Sequence, residues 1–181
     1  MKAPEQVAKK ITEVIASKSF KLFRDKKFRR LNNFASIDQE EQDRIFNEIV
    51  VTGLALAVLT YENLAKRSDN KSPVLEQYFR NLQLEMTNYY GNWLKEIGSK
   101  PADAELWKKL VLMRCDEYRK DEKFFFKKKV EPDNKWPYVT AIGGFRHITR
   151  SKGKPEDELY YIFLRWITKI FAEISRSVLS M

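Results

Sequence analysis

Few side chains in this sequence combine a reactive type with a useful spacing. Arg114, Glu117 and Asp121 replace apolar residues along one line of a helical segment. Glu117 and Asp121 are four residues apart and share a helix face. With Arg114 three residues earlier, they read first as an ion-pair network at a helix interface. A polar site inside a helical bundle, able to do acid–base work, is the alternative reading. Glu48, Glu62 and Glu85 flank neighbouring apolar stripes, which leaves open an all-oxygen site for a hard cation. The ion-pair reading is the stronger, because an arginine three residues from a carboxylate is ordinary helix chemistry. No metal or other cofactor is expected.

Cys115 is the single cysteine and His147 the single histidine. An intramolecular disulfide and a zinc site built from Cys and His are therefore excluded. A thiol–imidazole pair would need these two residues, and their spacing gives no support for it. The sequence contains no glycine-rich phosphate loop, no dinucleotide fingerprint after a strand and no paired Glu-x-x-His of a di-iron bundle.

The second kind of chemistry is anion binding. Lys18, Lys21, Arg24, Lys26, Lys27, Arg29 and Arg30 face only Asp25 in the same stretch, a local charge of +6. Between Lys120 and Lys154, ten cations face four acids, again +6. This second run includes Lys127, Lys128, Lys129, Arg146, Arg150 and Lys152, with His147 as a further donor. Its Gly143-Gly144 pair would let backbone approach a ligand closely. Residues 36–66 are the reverse, six acids against two cations, or −4. The formal charge is +9 overall, so cations and acids are segregated along the chain. Phosphate contacts need several cations on one surface. Each run alone also reads as an ordinary solvated face.

These groups must be positioned by helices, since no strand pattern is present. Val7, Ile11, Val14 and Ile15 predict a first helix over Pro4 to Phe23, with a short bent helix after it. Ser36 and Gln39 have capping-box spacing before the second helix. From Ile49 to Leu59 that helix is apolar on nearly every side, which predicts a central, buried position. A third helix runs from Ser72-Pro73 to about Ile97, with Gly98 as its C-cap. A fourth runs from Pro101 to about Lys128. Residues 129–154 contain prolines and glycines and predict a long irregular connection, with at most one helical turn near Val139. The last helix opens at Pro155. The fold class predicted is all-α, a single-domain bundle of about five main helices.

The 13 residues from Ile49 to Tyr61 form the longest apolar stretch, too short to cross a bilayer, and a cytoplasmic protein is expected. The leading functional expectation is a non-enzymatic helical binding protein using basic surfaces to contact nucleic acid or an acidic protein partner. An enzyme built on Arg114, Glu117 and Asp121 is the competitor. Peripheral membrane attachment through the 18–34 stretch is a third reading.

Overall fold

The apolar run beginning at Ile49 determines the architecture. It belongs to α3 (Gln39–Arg67), and every residue from Glu48 to Tyr61 is buried. A helix buried on all sides needs neighbours on all sides. These are α1 (Pro4–Phe23), α4 (Pro73–Glu96), α5 (Pro101–Phe125), α6 (Trp136–Thr149) and α7 (Glu158–Leu179). Each touches α3, and they close a ring around it in the order α1, α4, α5, α6, α7 and back to α1. The short α2 (Lys26–Leu31) packs on α7 and on a 3-10 turn, Phe34–Ser36. The computed structural model describes residues 2–67, 73–126, 135–154 and 156–179, and they form a single all-α bundle without strands.

By length and composition the 39–66 segment could cross a membrane, yet 83% of its most apolar window is buried inside the bundle. Its neighbours supply the apolar surroundings.

Local chemistry sets the helix ends. Asp25 accepts a hydrogen bond from the Phe28 N–H at 2.8 Å and starts α2. The expected Ser36–Gln39 capping box does not start α3. Ser36 lies in the 3-10 turn, Ile37 is extended, and Asp38 takes the cap, its carboxylate accepting from the Glu41 N–H at 2.8 Å. Gly98 adopts φ +98 after α4, and the Ser99 N–H reaches back to the Leu94 carbonyl at 2.9 Å.

The largest departure from the sequence reading is α6. Residues 136–149 were expected to be irregular, and they form a helix of 14 residues. Pro137 stands in the first turn, where a missing N–H costs nothing. Gly143 and Gly144 act as contact points. A β-carbon at Gly143 would lie 2.2 Å from the Tyr118 ring, and one at Gly144 2.6 Å from Thr52. The glycines therefore let α6 settle directly on α5 and α3. Residues 127–134, with Lys127, Lys128 and Lys129, lie outside the described residues, as do Ser72 and Pro155. The last helix begins at Glu158, three residues later than expected.

Candidate anion-binding cleft

The polar break of α5 is built from three helices. Arg114 donates through Nε and Nη2 to both carboxylate oxygens of Glu48, at 3.2 and 2.7 Å, and through Nη1 to Glu117 at 3.1 Å. Glu48 comes from the buried middle of α3 and is 5% exposed. Burial works against the Arg114 charge, but the hydrogen bond and charge of Glu48 outweigh it and raise the Arg114 pKa. On the other side Glu117 meets Nε2 of His147, from α6, at 2.9 Å. Asp121 faces Arg146 at 3.5 Å. Burial raises the Asp121 pKa, with the Glu117 charge adding to it and Arg146 opposing.

Beneath them Tyr118 and Thr52 share a hydrogen bond of 3.2 Å, and burial raises the Tyr118 pKa. Cys115 is buried against the Ala55 carbonyl, and burial pushes its thiol up to about 12. It is a thiol at neutral pH and a weak nucleophile. The cluster's polar atoms are engaged with one another, an arrangement that ties α3, α5 and α6 together. Among the described residues no group of three or more His, Cys, Asp or Glu could hold a metal ion.

In the second basic run, Lys135, Arg146 and Arg150 have acidic partners, Glu122, Asp121 and Glu41. Arg150 donates to both oxygens of Glu41, at 3.2 and 2.6 Å. Arg44 holds the same carboxylate at 2.8 Å and donates to the carbonyls of His147 and Ile148, at 2.9 and 3.0 Å. These hydrogen bonds, from Arg44 first and then Arg150, lower the Glu41 pKa to about 2. The surrounding cleft, about 1140 Å³, is acidic: Asp38, Glu40, Glu41, Asp43 and Asp103 line it against Arg44, Lys100 and Arg150. Lys152 lines a smaller cleft of about 510 Å³, opposite Leu31, Asn32 and Asn33. Arg150 lines it too, with Glu41, Asp157 and Glu158, and none of its lining residues is a cation of the 18–30 run.

The first run divides between two surfaces. The Arg29 guanidinium lies 4.5 Å from the Phe34 ring centre, and that of Arg24 lies 5.5 Å from Phe20. Lys26 and Arg30 are exposed on α2. Lys18, Lys21 and Lys27 turn the other way and line a cleft of about 600 Å³ between α1, α2 and α7. Across it stand Arg165 and Lys169, with Tyr161 on the same wall. Leu22, Ile162 and Trp166 provide its apolar lining. Asp25 and Glu158 are its two acids, against five cations.

Lys27 pairs with Glu158, and Lys18 pairs with Glu173 at 3.4 Å. Because residue 18 meets 173 and residue 27 meets 158, α7 runs antiparallel to the α1–α2 segment. Among the described residues, Lys21, Arg165 and Lys169 form no ion pair. Arg165 and Lys169 were missing from the anion-binding candidates. Their signal was present, since Tyr161, Arg165 and Lys169 recur every four residues on the polar side of α7. Sequence alone did not place that side next to α1.

Comparison of the chain with protein-family models, with characterised proteins and with solved structures found no match. The functional reading therefore rests on the geometry of the cleft.

Proposed function

We propose that this protein is a non-enzymatic helical binding module that holds an anionic partner in the cleft between α1, α2 and α7. The observation that carries the proposal is the set of three cations, Lys21, Arg165 and Lys169, that form no ion pair among the described residues and face one cleft from two helices. Five cations against two acids concentrate positive potential there, while low-dielectric walls focus it. Arg146 and Arg150 have acidic partners within the chain, which leaves less of the second run for an outside anion.

The reading is tested with fluorescein-labelled polyglutamate, duplex DNA and single-stranded DNA, titrated at about 50 and 200 mM salt. At least one polyanion is expected to bind saturably at the lower salt and more weakly at the higher. Reversing two exposed charges, Lys21→Glu with Lys169→Glu, should weaken that binding by about tenfold or more, because each reversal replaces an attraction by a repulsion. Arg150→Glu should have a smaller effect. Absence of saturable binding to all three probes at low salt would reject the proposal. A stronger effect of Arg150→Glu than of the cleft pair would move the site to the second run. Preference for DNA over polyglutamate would make nucleic acid the partner class.

A further inference from the structure

We infer that the occupant of this cleft is an acidic amphipathic helix from a partner protein, an inference that rests on the anionic-partner reading. Three features select a helix. The walls are two antiparallel segments, the α1–α2 arm and α7, and the groove between two such segments is where a third helix packs by ridges into grooves. The cleft extends along α7 from Glu158 to Lys169, which at 1.5 Å per residue is about 16 Å, or three turns. Its lining is also divided by chemistry. The exposed Tyr161 and half-buried Ile162 offer an apolar surface over the buried Leu22 and Trp166, while Lys21 on one side and Arg165 with Lys169 on the other carry charge.

A phosphate backbone makes poor use of an apolar floor, since its oxygens require donors throughout. A helix with leucines on one face and glutamates beside them uses both parts. The leucines cover Tyr161 and Ile162, and the glutamates reach the lysines and arginine on either rim. Arg165 and Lys169 are one helical turn apart, the spacing at which a partner's glutamates recur at i and i+4. The cleft's cations already hold carboxylates in this manner, Glu158 on Lys27 and Glu173 on Lys18, and Lys21, Arg165 and Lys169, without an ion pair among the described residues, complete the set.

The test uses three labelled probes with the full chain. The first is a peptide of about four turns with leucines at i, i+3, i+4 and i+7 and glutamates on the flanking positions. The second has the same composition, rearranged so that no apolar face forms. The third is polyglutamate. The patterned peptide should bind about tenfold or more tighter than the rearranged one, and its circular dichroism should become more helical on binding.

Ile162→Ala should weaken the patterned peptide by about fivefold and leave polyglutamate unchanged, since it removes apolar contact alone. Tyr161→Ala, at a side chain 56% exposed and outside the core, makes the same comparison where folding is not at stake. Lys21→Glu with Lys169→Glu should weaken all three probes. Equal binding of patterned and rearranged peptides, or tighter binding of single-stranded DNA at the same cleft, overturns the helix inference and leaves the anionic-partner reading in place. Failure of these three probes alone overturns the helix inference, and failure of both DNA forms as well overturns the anionic-partner reading.

Discussion

Arg114 holds Glu48 with two nitrogens and Glu117 with a third, so one guanidinium serves carboxylates from two helices. The cost of burying Glu48 is offset only while that partner is present. Replacing Arg114 with Ala should therefore destabilise the fold by about 3–5 kcal/mol, because a lone carboxylate is left in the interior. Glu48→Gln should cost less, since the amide is neutral and fits the same space. The double variant should lose less than the two single losses added together. Guanidinium denaturation of the four proteins measures this coupling. A coupling near zero would mean that the pair contributes nothing to the fold and would return Glu117 and Asp121 to consideration as functional carboxylates. The same residues explain why the α5 stripe looked broken. Its buried line is Ala104, Val111, Cys115 and Tyr118, while the apolar Leu106 and Met113 are exposed. Arg114 and Glu117 lie beside that line, at the seams with α3 and α6.

At the scale of the element, α6 depends on what glycine omits. Gly143→Ala places a methyl group 2.2 Å from the Tyr118 ring, which is fully buried and hydrogen-bonded to Thr52. The ring can move only by disturbing α3. A loss of about 1–3 kcal/mol is expected from overpacking, although alanine is intrinsically the better helix former. Thermal unfolding checks the sign: a raised Tm would show that α6 is free to withdraw from α5. This contact also marks the limit of what the sequence conveyed. Long helices with one apolar face were legible from period alone, and Pro4, Pro73 and Pro101 begin helices as their positions suggested. The all-round apolar run at 49–59 correctly implied a central helix. In α6, paired glycines carried the usual meaning of a break, because sequence does not reveal that Tyr118 and Thr52 stand opposite them. The cleft was half legible for the same reason. Lys18, Lys21 and Lys27 were visible as a run, whereas Arg165 and Lys169 join them only through the pairing of α7 with α1.

At the scale of the molecule, the folded chain answers its own charge segregation. The acidic start of α3 meets the basic end of α6, where Glu41 binds Arg44 and Arg150 while Arg44 also donates to the carbonyls of His147 and Ile148. Cations near a helix C-terminus are favourable in themselves, so this junction combines a dipole with an ion pair. It closes one end of the ring and links residues more than a hundred positions apart. Its pH dependence has a definite sign. The Glu41 pKa is depressed from 4.5 to about 2 in the folded chain, so the folded state favours the ionised carboxylate. The stabilisation is complete above the unfolded value and is lost as pH falls through the interval from about 4.5 to about 2. Glu41→Gln should be less stable than the parent at neutral pH, and the gap should narrow across that interval until the two proteins coincide. Urea titrations at a series of pH values measure the gap directly. A gap that stays constant through the acid range would show that Glu41 is already protonated, or unpaired, in solution. Salt provides the companion measurement: Arg150 is 62% exposed at its side chain and Arg44 only 21%, so added salt should weaken the Arg150 bond more than the Arg44 one. Arg150→Ala should therefore lose its effect at high ionic strength, while Arg44→Ala, which also removes a donor from the His147 and Ile148 carbonyls, should remain destabilising.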